Sequence, residues 1–332
     1  MANSIPAISV ILPVFNARHT VGEAIESILR QTFSDFELIV VDDASTDNSA
    51  QIIQSYDDPR IVYLRNDVNL HVAETLNRGM SNSRGKYVAR MDSDDISLPN
   101  RFAKQYEFLE SHPEISICGT FAEIFGERTG RITLPIEPDE LRCALIFDSC
   151  FAHPTVMFRR ADFEKYNLTY NHLRYSEDFD LWQRAIGPLN GANIPEILLK
   201  YRVASTSVLR TSIRKEQLVQ YRELDARTLS AFGVVPTDEQ FECHQMIREI
   251  TDQRFDLDKV EEWLIYLIIC NEQTHSFPGE SLKRYFSHLW YLANHFSSGF
   301  GVLKYPRYAK SPLKNSVKLT PALTARFLLR HR

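Results

Sequence analysis

Three short stretches of this chain gather carboxylates closely enough to do chemistry. Asp92-Ser93-Asp94-Asp95 is the densest. Carboxylates crowded on one loop offer oxygens to a hard divalent cation, Mg²⁺ or Mn²⁺, which fills its shell with water and phosphate oxygens. A diphosphate leaving group, whose charge grows as its bond breaks, gains most from such an ion. The same residue types also cap turns, and Pro99 suits the first turn of a helix running to Ser111. Asp42-Asp43 comes second. Ser45, Thr46 or Asp47 can cap the helix expected after it, leaving the Asp43 carboxylate able to accept a base N–H such as uracil N3. The third stretch is Ser176-Glu177-Asp178-Phe179-Asp180-Leu181-Trp182. With Ser176 as N-cap, Glu177 and Asp178 fall in the first helical turn, where the dipole favours the ionised form. Either is a candidate base for a hydroxyl nucleophile, or a plain complement to the dipole.

The elements around these clusters are legible from hydrophobic period. Apolar runs at Ile8–Val14, Phe36–Val41, Ile61–Leu64 and Tyr87–Met91 alternate with helical spacing over Thr20–Leu29, Ala50–Ile53 and Val72–Met80. Strands alternating with amphipathic helices predict a parallel sheet covered on both faces, with ligands in the crevice at the strands' carboxyl ends. The polar loops Phe15-Asn16-Ala17-Arg18, Asp42 to Asp47 and Asp92 to Asp95 all follow strands, so they converge on one sheet edge. Beyond Pro99 the pattern mixes. Strands are expected at Ile115–Gly119, Thr155–Phe158 and Glu196–Val203, and a helix at Ser176–Ile186. Mainly helices follow from Ile213. Phe179, Trp182 and Ile186 share the core-facing side of their helix.

Ser9-Val10-Ile11-Leu12-Pro13-Val14-Phe15-Asn16-Ala17, Ser27 to Phe33, Val40-Val41-Asp42-Asp43-Ala44-Ser45-Thr46-Asp47, and Val88 to Asp95 with Leu98-Pro99-Asn100-Arg101 stand in that order. This succession resembles the family 2 glycosyltransferases over roughly residues 8–205. The resemblance implies an α/β, Rossmann-like GT-A fold with a mostly parallel sheet, helices on both faces and a C-terminal helical region. It implies an inverting transfer from a nucleotide-diphospho-sugar, with UDP preferred. Carried over by position, Pro13 and Phe15 border the base and Asp43 bonds it. Asn16, Arg90, Asp92, Ser93 and Asp94 stand in the nucleotide-sugar motifs. Asp94 or Asp95 is implied as the contact to Mn²⁺ or Mg²⁺. The family's E-D motif falls on Glu177-Asp178 and implies Asp178 as the catalytic base, with Glu177 beside it. His153-Pro154-Thr155 resembles the acceptor-side loop. Two departures stand out: Ala204 where many relatives have His, and His71 where Gly is usual after Asn69-Leu70. Arg202 remains to neutralise phosphate. A non-catalytic sugar-nucleotide-binding partner is the alternative that Ala204 leaves open.

The chain has 332 residues and a net charge of −5, and 44 % of its residues are hydrophobic, which excludes disordered and fibrous classes. The charge is divided unevenly. After Glu280 there are ten Lys and Arg and no acidic residue, which leaves −15 for residues 1–280. The basic tail interleaves Tyr285, Phe286, Trp290, Tyr291, Phe296, Phe300, Tyr305, Tyr308 and Phe327, and it suits an anionic membrane surface. No motif reads nucleic acid. G-x-G-x-x-G and Q-x-x-R-W are absent, which disfavours NAD-binding enzymes and processive synthases. Five cysteines without C-x-x-C spacing indicate reduced thiols. No signal segment or span is expected, so the enzyme is placed in the cytoplasm, peripheral to the inner face of the plasma membrane. A glycan or lipid-linked glycan is the expected acceptor, and the oligomeric state is not legible. Residues 1–208 are expected as the catalytic domain and 209–332 as the helical region.

Overall fold

Four apolar runs form the parallel half of the sheet: β1 (Ile8–Val14), β2 (Phe36–Asp42), β3 (Ile61–Arg65) and β4 (Tyr87–Arg90). They lie in the order β3-β2-β1-β4, all parallel, with Val14 opposite Asp42 and Ile11 opposite Arg90. β2 is buried along its whole length and β1 at all but Pro13, as strands covered on both faces must be. Beyond β4 the pairing changes direction. β5 (Ile96–Ser97), β6 (Ile117–Gly126), β7 (Gly130–Ile132), β8 (Met157–Arg159) and β9 (Gly191–Val203) complete a nine-stranded sheet, continuing β4-β8-β6-β9-β5 with β7 on β6. β8 is antiparallel to both β4 and β6, whereas β6 and β9 are parallel. The computed structural model describes residues 5–173, 175–203, 213–248, 256–297, 308 and 310–316.

Helices α1 (Val21–Leu29), α2 (Ser49–Gln54) and α3 (His71–Ser81) connect the parallel strands; α4 (Arg101–Ser111) follows β5. α1 turns Val21, Ala24, Ile25 and Ile28 inward, the i, i+3, i+4, i+7 stripe of an amphipathic helix. α3 approaches β1 so closely that a Cβ on Gly79 would lie 2.4 Å from Ile11 Cγ2, so only glycine fits there. Pro99 lies outside α4, contrary to expectation: Asn100 is the N-cap, and the Pro99 carbonyl accepts Thr32 N–H at 2.9 Å. Thr155 belongs to a 3₁₀ turn, His153–Thr155, and β8 starts only at Met157. β6 and β9 both run longer than their apolar cores suggest, because they pair along most of their lengths.

The chain forms two compact units, residues 1–138 with 150–217 and residues 139–149 with 218–332. The first holds the sheet, with α6 (Arg160–Lys165) and α7 (Glu177–Ala185). The second contains α5 (Pro138–Ala144) from its second residue onward, and α8 (Ile213–Ala231) from Leu218. It also holds α9 (Asp238–Arg248), α10 (Leu257–Thr274) and α11 (Gly279–Ser297). Its core includes Phe147, Trp263, Phe286, Trp290 and Tyr308. That corrects one expectation: Phe286, Trp290 and Tyr308 are buried, and Tyr285, Tyr291 and Phe296 pack against them, so these aromatics build a helical core. Phe300, Tyr305 and Phe327 lie outside the described residues. Within this unit Arg248 pairs with buried Asp225, and His244 Nε2–H donates to the Ile146 carbonyl at 2.9 Å while Nδ1 accepts from Trp263. None of the five cysteines forms a disulfide, and no described helix is long and apolar enough to cross a membrane.

Candidate functional site

The loops leaving β1, β2 and β4 share the carboxyl edge of the sheet and brace one another. Asn16 takes a left-handed backbone (φ +51°), and its side-chain Oδ1 accepts Thr46 N–H at 2.9 Å. In return Asn16 N–H donates to Ser45 Oγ, and Ala17 N–H to Ser49 Oγ. Phe15 stays half exposed at this edge and Pro13 half buried. Asp42 is the structural member of its pair: Oδ1 accepts Ser45 N–H, and Oδ2 accepts the Tyr63 hydroxyl at 2.9 Å. Asp43 is also buried and accepts three bonds, from Asn66 Nδ2 (2.7 Å), Leu70 N–H (2.8 Å) and His71 N–H (2.9 Å). It therefore organises the loop between β3 and α3. That loop exposes Val68 and Leu70, two large apolar side chains that the sequence pattern did not mark.

After β4 the chain delivers the acidic cluster. One ligand atom each from Asp92, Asp94 and Asp95 lies within 4.8 Å of the others. Burial and then the neighbouring Asp92 charge push Asp94 up to about 6; the same causes, with Asp94 added, push Asp95 up to about 8. Asp95 Oδ1 accepts Arg202 N–H at 2.8 Å, but its buried Oδ2 has no partner. Mutually repelling carboxylates, one with an unsatisfied buried oxygen, form an all-oxygen donor set that fits a hard divalent cation. Ser93 lies half-buried within the cluster.

Two arginines counter this charge. Arg90 pairs with Asp92. Burial works against its guanidinium, and the Asp92 carboxylate, through charge and hydrogen bond, together with the Asp95 charge, outweighs it and holds its pKa up. Arg202 Nε–H donates to the Asp94 carbonyl at 2.7 Å, its Nη2 pairs with Glu23, and its plane stacks on Phe125 at 4.4 Å. Ala204, two residues on, lies outside the described residues.

A third guanidinium, fully buried and given no role from sequence, supports the cluster from below. Arg101 donates to the Arg90 carbonyl at 2.7 Å and to Gln105 Oε1 at 3.0 Å. Gln105 in turn donates to the Thr155 carbonyl at 2.8 Å, linking the end of β4 to the His153 turn. Burial lowers the Arg101 pKa to about 9. Tyr201, on β9 beside Arg202, is held protonated by burial and by the charges of Asp92, Asp95 and Asp94.

The second acidic group opens α7. Ser176 occupies the N-cap position without a side-chain capping bond, and Glu177 and Asp178 lie in the first turn. Asp178 Oδ1 accepts Phe179 N–H at 2.8 Å. Burial, followed by the Asp178 charge, pushes Glu177 up to about 8, and the charges of Arg90 and Asp92 also act on it. The two acidic groups thus share one electrostatic environment, with Arg90 as their common cation. His153 joins this environment. Its Nε2 lies 2.8 Å from the Tyr170 hydroxyl and its ring 6.0 Å from Trp182; burial and the Arg90 charge hold its pKa well below the ordinary value.

This geometry agrees with what the chain resembles. The profile of Glycosyl transferase family 2 matches residues 9–167. The putative glycosyltransferase EpsE of Bacillus subtilis is 38 % identical over 219 residues, covering 63 % of this chain and 78 % of the relative. The O-antigen biosynthesis glycosyltransferase WbnJ of Escherichia coli is 33 % identical over 242 residues, covering 68 % and 92 %. Among solved structures, Staphylococcus aureus TarS 1–349 in complex with UDP-GlcNAc superposes with TM-score 0.60 at 18 % identity, covering 86 % of each chain. The mannosyltransferase PcManGT of Pyrobaculum calidifontis, with GDP-Man and Mn²⁺, gives 0.50 at 14 % identity, covering 99 % and 86 %. These likenesses give the fold, which is GT-A-like. A parallel sheet with its polar loops on one carboxyl edge, an acidic cluster suited to a metal and relatives matched across most of their length lead to one conclusion: this chain belongs to glycosyl transferase family 2.

Proposed function

We propose that the chain transfers a sugar, with inversion, from a UDP-sugar to a hydroxyl of a glycan or lipid-linked glycan, with Mg²⁺ or Mn²⁺ held at Asp94 and Asp95. The observation that carries this reading is the unpartnered buried oxygen of Asp95 within three crowded carboxylates at the carboxyl edge of β4. The ion, when bound, neutralises the charge that grows on the departing diphosphate. Pro13, Phe15, Asn16 and Asp43 form the base side, and Ser93 and Asp92 the ribose and diphosphate side. Arg90 and Arg202 add fixed positive charge for the diphosphate. Inversion needs one displacement, so a base must take the acceptor hydroxyl's proton on the face opposite the leaving group. Asp178 is that base. Glu177, protonated near neutral pH, is suited to donate a hydrogen bond to the substrate rather than to compete for the proton. His153 faces the acceptor side.

TarS, solved with UDP-GlcNAc, supports uridine, and the Mn²⁺ in PcManGT supports the metal. WbnJ, an O-antigen biosynthesis glycosyltransferase, and AmsE of Erwinia amylovora, an amylovoran biosynthesis glycosyltransferase, support a surface glycan as product. The test is a thermal-shift screen of UDP and GDP with and without Mn²⁺. Ligand at a hundred times its Kd stabilises by about 2.7 kcal/mol, so UDP with Mn²⁺ raises Tm by several degrees and UDP alone by less. Equal melting in every condition overturns the reading.

The basic tail supports a position on the anionic inner face of the plasma membrane. With several tail aromatics assigned to the helical core, this rests on charge, at about 1 kcal/mol for each basic residue near the surface.

A further inference from the structure

Tyr170 was not singled out by its sequence context, yet it lies where several elements meet. It is 3 % exposed, and its backbone is clamped in both directions by one side chain of α3. Tyr170 N–H donates to Asn77 Oδ1 and the Tyr170 carbonyl accepts Asn77 Nδ2–H, both at 2.9 Å. The flanking residues are tied to α7: Asn171 Nδ2–H donates to buried Asp180 at 2.8 Å, and Arg184 bonds both Asp180 and the Thr169 carbonyl. A loop held this firmly delivers one hydroxyl to one place, His153 Nε2 at 2.8 Å.

The proton in this contact can be assigned by satisfaction. If Nε2 carried the hydrogen and donated to the phenol, the buried phenolic O–H would be left without an acceptor among the described residues. An unmet buried donor costs more than an under-used lone pair. The phenol therefore donates to Nε2. In a neutral imidazole the hydrogen then sits on Nδ1, which makes no hydrogen bond among the described residues. Both burial and the Arg90 charge keep the ring neutral.

We propose that Tyr170 is a positioning residue for sugar transfer: its hydroxyl fixes His153 in the Nδ1–H tautomer and one ring orientation, so that Nδ1–H donates to a sugar hydroxyl of the substrate. This rests on the glycosyltransferase reading above. The hydroxyl belongs to the donor sugar or to the acceptor glycan, and one experiment separates the two.

The full chain is labelled with ¹⁵N-histidine, and His153 is assigned through His153→Gln. Wild type shows His153 with a protonated Nδ1 and a bare Nε2 between pH 6 and 7. In Tyr170→Phe, which removes one oxygen and keeps the ring in place, the tautomer becomes mixed while the other histidines stay unchanged. Titration calorimetry with UDP and UDP-GlcNAc then locates the hydroxyl. UDP-GlcNAc binding weakened three- to tenfold with UDP unchanged assigns it to the donor sugar. A lost tautomer with both affinities unchanged and a raised acceptor KM assigns it to the acceptor, whereas unchanged affinities and unchanged acceptor KM overturn the contact to a sugar hydroxyl. The proposal is overturned if His153 keeps its tautomer in Tyr170→Phe, or is Nε2-protonated or charged in wild type. A fixed tautomer in a chain that binds neither nucleotide overturns the donor reading, and with it the sugar hydroxyl as target.

Discussion

His71 shows how a local departure from family pattern registers in the backbone. It stands where the resemblance calls for Gly, and its φ is +66°. A side chain bearing Cβ pays about 1–2 kcal/mol in that region, while glycine costs about 0.5–1 kcal/mol more in the unfolded chain. Its N–H donates to Asp43, and that bond holds the residue in place. His71→Gly therefore stabilises the protein by about 0.5–1 kcal/mol, seen as a higher urea midpoint at unchanged slope; a lower midpoint contradicts the assignment. The acidic clusters were legible because carboxylates gathered on short loops are unusual. Arg101, Gln105 and Tyr170 were not, since an inward-turned polar residue looks like a surface residue until its partners are known.

At the scale of elements, strands with continuous apolar runs were readable and those defined by pairing were not. β5 is two residues long and exists because Ile96 and Ser97 pair with β9. Two polar braces hold the sheet, the first at the amino ends of the parallel strands and the second beneath the acidic cluster. Glu37 on β2 accepts Ser9 Oγ–H at 2.6 Å and the Arg84 guanidinium at 2.6 Å, joining β1 and β2 to the turn before β4. Burial pushes its carboxyl up, and the bonds from Ser9 and Arg84 outweigh this and hold it below the ordinary value. A depressed folded pKa adds stability that is present above the unfolded value, near 4.3, and is lost as pH falls through the folded one. Glu37→Gln should therefore cost about 2–3 kcal/mol at pH 7, and the gap from wild type should narrow below about pH 4 in denaturation curves. A gap independent of pH contradicts this. The second brace is Arg101. Arg101→Met leaves the Arg90 carbonyl and Gln105 Oε1 buried without their donor. It should cost about 1–3 kcal/mol for each unmet acceptor and lower turnover about tenfold, because the Arg90 carbonyl loses its support. Unchanged turnover would show that β4 positions the acidic cluster unaided.

Over the whole molecule, the net −5 divides into an acidic region of −15 and a basic tail of +10. Charge was readable from composition; the placement of the tail's aromatics was not, because aromatic residues serve equally in cores and at interfaces. Residues 139–149 joining the helical unit was also illegible, since it depends on contacts distant in sequence. The charge division predicts that full-length protein floats with vesicles containing anionic lipid, and is released by high salt. Flotation with neutral vesicles, or insensitivity to salt, contradicts a charge-driven contact. The base role of Asp178 is decided by Asp178→Asn. Turnover of a UDP-sugar with Mn²⁺ is measured beside its Kd for wild type and variant. Loss of the base lowers turnover by about 100-fold or more and leaves Kd within about threefold. Equal turnover in the two proteins would contradict it.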